Sequence, residues 1–255
     1  MNKPVDFTEL SCSQCTKGAG LDFDFSMAFQ PIVDTSNKSV FAYEALVRGP
    51  KGESAFSILS QVNEVNRYRF DQSCRVKAIQ LASKLGIECF VSINFLPNAV
   101  YKPELCIRTT LQAAKEYRFP VERILFELIE DEQVSDIPHL KNIILSYQQM
   151  GFKTALDDFG AGHSGLNLLA NFQPDLLKLD MELIRSIDSD SVKQAIVKRT
   201  IQLCKDLNIK ILAEGVETQA EFDYLQHTGI DLYQGYYIAK PEFEGLPHIN
   251  PTIFG

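Results

Sequence analysis

Eight short apolar runs of strand length are spaced along this chain, most of them separated by helical stretches. That alternation limits the fold more than any other feature of the sequence. The runs cover residues 27–32, 39–46, 89–94, 124–128, 153–157, 176–180, 210–213 and 231–233. Residues 70–85, 104–117, 137–150, 192–207 and 218–226 repeat their apolar positions with helical period. Strand alternating with helix predicts a parallel sheet, and eight such units predict a closed α/β barrel of the (β/α)8, TIM-like kind. The 255-residue length suits one such barrel. One join departs from the pattern. The first two runs are linked only by the turn-rich stretch 33–38, and a parallel crossover needs a dozen or more residues. The first strand pair is therefore predicted to be antiparallel. Residues 1–22 carry no clear element and are read as an N-terminal arm, with 23–255 as the barrel.

Composition excludes some functions. A net charge of −8 speaks against binding polymeric nucleic acid through a general basic surface. A small anion remains compatible with it, because bound cations supply positive charge locally. No apolar run is long enough for a membrane span, and the first residues lack the apolar core of a secretory signal. A cytoplasmic location is expected, with the six cysteines mostly reduced. Cys12 and Cys15 have C-x-x-C spacing, but no second such pair completes a zinc site. No metal or redox role is expected for them, and an intersubunit metal or disulfide stays open.

Polar residues recur at the C-terminal ends of the apolar runs: Glu44, Asn94, Glu127, Asp157 with Asp158, Lys178, Glu214 and Gln234. In a (β/α)8 barrel those ends converge on the face that carries active sites. So many acids in one mouth repel one another unless cations hold them. Glu44, Asn94, Glu127 and Asp157 offer only oxygen donors, which suit Mg²⁺ or Mn²⁺ better than zinc. Asp157 and Asp158 are adjacent and can serve two ions. Two divalent ions clamp both oxygens of a phosphodiester displacement and lower the pKa of bound water. Lys178 is placed to orient that water or take its proton, and Arg48 to fork onto a phosphate.

These residues resemble a known family. Tyr43-Glu44-Ala45-Leu46-Val47-Arg48 is similar to the motif after which EAL domains are named. The resemblance continues through Phe29-Gln30-Pro31-Ile32, Ser92-Ile93-Asn94, Phe126-Glu127-Leu128-Ile129-Glu130 and Asp157-Asp158-Phe159-Gly160. It ends with Leu177-Lys178-Leu179-Asp180, Ala213-Glu214-Gly215-Val216-Glu217-Thr218 and Gln234-Gly235-Tyr236-Tyr237. It implies a metal-dependent phosphodiesterase, a hydrolase that opens cyclic di-GMP to linear pGpG in a bacterial cell. Carried over by motif, Glu44, Asn94, Glu127 and Asp157 are metal ligands, and Asp158 serves the second metal. The resemblance has Lys178 act on the water, and Glu214 support the metal and water cluster. It places Leu46 and Arg48 against the substrate, with Gln30, Asp180, Glu217 and Gln234 lining or supporting the site. Glu130 resembles a glutamate that holds the loop after Asp158, a loop also linked to dimerisation, so a homodimer is expected. Ala161 and Ile129 depart from residues frequent in the family, without touching the site acids.

Plainer readings stand beside these. Asp180 and Glu217 also suit structural acids that cap a helix or pair with a base. His163 reads as a loop residue, and Tyr236 and Tyr237 as mouth packing or as base-stacking aromatics. Two rival functions are a catalytically silent receptor for cyclic di-GMP and a glycosidase using two carboxylates. The first conflicts with the survival of every acid and of Lys178; the second does not require Asn94 or Lys178.

Overall fold

The computed structural model describes residues 21–96, 106–129, 137–162 and 165–254. Cys12, Cys15, Glu130 and His163 lie outside the described residues, as does most of the expected arm. The strands are β1 (Ser26–Asp34), β2 (Ser39–Arg48), β3 (Phe90–Phe95), β4 (Ile124–Ile129), β5 (Lys153–Phe159), β6 (Leu176–Leu179), β7 (Lys210–Ala213), β8 (Leu232–Tyr233) and β9 (Glu242–Phe243). The helices are α1 (Ala55–Leu59), α2 (Arg67–Lys84), α3 (Arg108–Glu116), α4 (Ile137–Gln149), α5 (Gly165–Asn171), α6 (Met181–Ile184), α7 (Ser191–Asp206) and α8 (Gln219–Thr228).

Strands β2 to β8 pair in sequence order, every pair parallel. Strand β1 closes the ring, antiparallel to both β2 and β8, and β9 adds to its outer end. The eight-stranded barrel and the antiparallel first pair expected from the sequence are both present. The turn between β1 and β2 is tied by Asp34, whose carboxylate accepts from the Ser36 hydroxyl and from the amide and side chain of Asn37. Three short helices, α1, α5 and α6, and strand β9 are additions to the pattern expected from the sequence. Each is too brief to show a period, and α6 is set off by its cap, Asp180.

The barrel interior is layered. Ile32, Ala42, Leu125, Ala155, Leu176, Leu212 and Leu232 form a small apolar cluster of their own, with Phe90 packed against it. Each of the eight strands contributes one of these residues, so together they plug the barrel. Alternate residues of a strand share a face, so the next inward position lies two residues along. Those positions are Glu44, Ser92, Glu127, Asp157, Lys178, Glu214 and Gln234, and Gln30 on the reversed β1. All eight are polar. Asn94 and Leu46 stand one step nearer the mouth. Outside the strands, one continuous core joins the outer strand faces to the helices, with rings such as Phe126, Tyr147 and Phe152 in mutual contact.

One glycine fixes the rim. A Cβ on Gly235 would overlap the amide nitrogen and carbonyl oxygen of Val216. That backbone is itself tied by Val216 N–H to the Gln234 carbonyl at 3.1 Å and by Tyr237 N–H to the Val216 carbonyl at 3.0 Å. The overlap is with backbone on a hydrogen-bonded turn, so it cannot be relieved by a rotamer change. Gly235→Ala should lower the unfolding free energy by about 2–3 kcal/mol, as overpacking does. Urea denaturation measures this, and an unchanged midpoint would show that the rim yields more easily than its hydrogen bonds suggest.

Candidate active site

The polar tier opens into a cleft of about 290 Å³ lined by Gln30, Glu44, Asp157, Asp158, Lys178, Glu214 and Gln234, with Asp180, Glu217 and Tyr236 toward the rim. Lys178 stands at its centre, almost wholly buried. Its Nζ lies 2.7 Å from Glu214 Oε1, 2.8 Å from Glu127 Oε1, 2.9 Å from Asp157 Oδ1 and 3.8 Å from Glu44 Oε2. Burial disfavours the ammonium, but the charges of Asp157, Glu127, Glu214 and Glu44 prevail and hold it well above the ordinary lysine range. Lys178 is thus a fixed cation. One ammonium cannot balance the acids around it. Burial, reinforced by the charge of Glu44, pushes the Glu127 carboxyl well up against the pull of Lys178. Glu214 rises for the same first reason, with Asp157 and Glu44 adding to it.

Amides hold the Glu44 carboxylate. Glu44 Oε1 accepts from Asn94 Nδ2 at 3.2 Å, and its Oε2 accepts from Gln234 Nε2 at 2.6 Å. Gln30 anchors to the carbonyl of Ala239 at 3.1 Å and meets Gln234 Nε2 at 3.4 Å. Ser92, of the Ser92-Ile93-Asn94 motif, takes a part that the motif itself does not imply. Its buried hydroxyl donates to Glu127 Oε1 at 2.7 Å. Its position two residues before Asn94, on the same strand face, was the available signal.

Asp157 and Asp158 would face opposite sides of a regular strand. Here the β5–β6 register breaks between Leu156 and Phe159, and Asp158 takes φ +54°. Such bulges re-aim side chains, and Asp is among the few residues that tolerate the left-handed region. Both carboxylates therefore reach the cleft, where Asp157, Asp158 and Glu214 offer oxygens within 4.8 Å of one another. Burial and the neighbouring Asp157 charge raise the Asp158 pKa to about 6.

The other expected residues sit farther out. Asp180 caps α6, accepting from the Glu182 amide at 2.8 Å, while also lining the cleft. Glu217 pairs with Arg185 at 2.9 Å on the exposed rim. The structural reading of both acids thus holds alongside their place at the cleft. Leu46 and Arg48 line a separate, mostly apolar groove of about 450 Å³ that Asn94 and Asp71 also border. Arg48 Nη1 donates to the Val47 carbonyl at 2.7 Å.

The donor set can be tested against a divalent cation. All of its acidic donors are hard oxygens, their summed charge exceeds that of Lys178, and Glu127 Oε2 is fully buried without a hydrogen-bond partner among the described residues. These features fit an added cation.

The model of the EAL domain family matches residues 21–241. The chain belongs to the EAL domain family. A standalone versatile EAL protein from Vibrio cholerae O395, solved in its c-di-GMP bound form, is 60% identical, with a TM-score of 0.89, covering 92% of this chain and 99% of that one. Klebsiella pneumoniae BlrP1 in a calcium/cyclic di-GMP complex is 36% identical, with a TM-score of 0.83, covering 88% of this chain and 57% of that one. Among curated relatives from Escherichia coli K12, the blue light- and temperature-regulated antirepressor BluF is 32% identical over 87% of this chain. The probable cyclic di-GMP phosphodiesterase PdeD is 27% identical over 86% of it. The chain spans about half the length of these two relatives, 55% and 42%. Glu44 of the Glu44-Ala45-Leu46 motif sits inside the barrel mouth.

Asp158 supplies a pH test. Its folded pKa lies above its ordinary value of 3.8, so between those values the folded state holds more proton than the unfolded chain. Its contribution to stability is fully present below about pH 4 and is lost as pH rises through about 6. In metal-free protein, Asp158→Asn should melt above wild type at pH 8, and the gap should close as pH falls below 6. Asn keeps the left-handed backbone accessible, so a gap independent of pH would place the strain elsewhere.

Proposed function

We propose that this EAL domain hydrolyses one phosphodiester bond of cyclic di-GMP to linear pGpG, as a cyclic-guanylate-specific phosphodiesterase using two divalent ions, Mg²⁺ or Mn²⁺. The observation that carries the reading is the buried Lys178 ammonium enclosed by Glu44, Glu127, Asp157 and Glu214 at a barrel mouth. Relatives named as probable cyclic di-GMP phosphodiesterases, and one solved with calcium and cyclic di-GMP, support it.

Glu44, Asn94, Glu127 and Asp157 would hold one ion, and Asp158 with Asp157 the second. Bound there, the ions would supply positive charge for phosphoryl oxygens and acidify water. The chain's own groups do the rest. Asn94 and Gln234 orient the Glu44 carboxylate, and Ser92 orients Glu127, so both acids meet the cleft in fixed positions. Glu214 shares Lys178 with them, which places its carboxylate to steady an attacking water. Lys178, held charged, stabilises the negative charge that develops as the water loses its proton. Leu46 and Arg48 in the adjoining groove, with Gln30, Asp180, Glu217 and Gln234 in the cleft, are assigned to the substrate, the guanidinium to a phosphate. Glu130 is assigned to support the loop after Asp158. No helix among the described residues is long and apolar enough to cross a membrane. A cytoplasmic homodimer completes the proposal.

A second reading, a receptor without turnover, draws on the antirepressor name of one relative. Incubating purified protein with cyclic di-GMP and Mn²⁺ and separating the products distinguishes them: pGpG is expected, and unchanged substrate would favour the receptor. Excess chelator should abolish hydrolysis and Mg²⁺ or Mn²⁺ restore it, whereas Ca²⁺, which prefers more and longer bonds, should bind without good turnover. Lys178→Ala should slow single-turnover hydrolysis by roughly a hundredfold to ten-thousandfold. Cyclic di-GMP affinity measured in Ca²⁺ should fall much less; equal losses in both would assign Lys178 to binding instead.

A further inference from the structure

Among the described residues, the largest fully buried side chain is an arginine, Arg75, on the outer helix layer. Its Nη2 meets Asp71 Oδ2, one turn earlier on α2, at 2.7 Å, and both side chains are essentially without exposure. Nη1 donates to Thr110 Oγ1 on α3 at 3.0 Å and to the Cys106 carbonyl just before it at 3.4 Å. Desolvating two charges is costly, and apolar side chains of similar volume would hold α2 to α3 as well or better. Helix packing therefore leaves the pair unexplained.

The second oxygen of Asp71 points elsewhere. Oδ1 accepts the backbone N–H of Leu96 at 3.2 Å. Leu96 is the first residue past β3 and lies two residues beyond Asn94, the amide that holds Glu44. Asp71 also borders the groove shared by Leu46, Arg48 and Asn94. An apolar replacement would fill the space, but it could not accept that N–H.

We infer that the Asp71–Arg75 pair is a clamp on the end of β3, with Asp71 the positioning residue that sets Asn94 for cation binding and Arg75 the group that orients Asp71. The inference rests on the reading of Asn94 as a metal ligand. It makes two buried charges outside the cleft part of the site's geometry.

Two double variants separate the clamp from packing. Asp71→Asn with Arg75→Gln removes both charges and keeps a side-chain acceptor for Leu96. Asp71→Leu with Arg75→Met removes both charges and the acceptor. Calorimetry with Mn²⁺ alone should find the first pair close to wild type and the second weakened by about tenfold or more, the usual scale for losing support behind a ligand. Hydrogen exchange at the Leu96 amide should be as slow as within β3 in wild type and in the first pair, and fast in the second. Equal Mn²⁺ affinity in the two pairs, both folded, would overturn the inference. So would fast Leu96 exchange in the wild type, which needs no variant to fold. Absence of Mn²⁺ binding to wild type would instead count against the metal reading, and the exchange measurement would still decide the clamp.

Discussion

A single ammonium inside a ring of carboxylates governs this structure. Lys178 is buried, yet three acids lie within 3 Å of its Nζ and a fourth within 4 Å. A buried charge of that kind survives only when paired and hydrogen-bonded, and taking away one partner of such a cluster costs about 3–5 kcal/mol. The ring also leaves surplus negative charge, visible in the raised carboxyls of Glu127 and Glu214. The same imbalance favours an added cation at the mouth, as the proposed function requires.

The barrel supplies this arrangement through its layers. An apolar plug contributed by all eight strands seals the interior, and the tier above it is polar at every strand. The plug excludes water from below, so the charges above it interact in a medium of low dielectric. Two local irregularities complete the mouth. The broken register at Asp157 and Asp158 turns adjacent carboxylates into one cleft, and Gly235 lets the β8 end press against Val216 so that Gln234 reaches Glu44. The helix layer takes part as well, since Asp71 ties the exit of β3 to a charge buried between helices.

Much was legible in the residues. The alternation of runs and helices, with one short linker, was enough for the barrel and its reversed first strand. The acids of the cleft were legible because strand ends in such a barrel share a mouth. Less legible was depth. Reading polar residues as strand ends put Glu44 and Asn94 on one level, whereas Glu44 lies mid-strand in the tier of Ser92, and Asn94 one step above. Ser92 lacked a role for that reason: a serine inside an apolar run looks structural until the face it shares is known. Leu46 and Arg48, expected against the substrate, line the groove beside the cleft rather than the cleft itself.

The sequence by itself determined which side chains could enter the barrel, because a strand's period of two assigns each residue a face regardless of its partners. It determined the chemistry too, since oxygen donors and one lysine are a matter of composition. Only the tertiary structure decided that Lys178 meets Glu44, Glu127, Asp157 and Glu214 together, for these come from five different strands or their ends. Their convergence depends on how far each strand is staggered against the next around a closed ring, and stagger is a property of pairing between distant segments. The Asp71–Leu96 contact is tertiary as well: a helix and a strand end, 25 residues apart, meet because α2 packs back along β3.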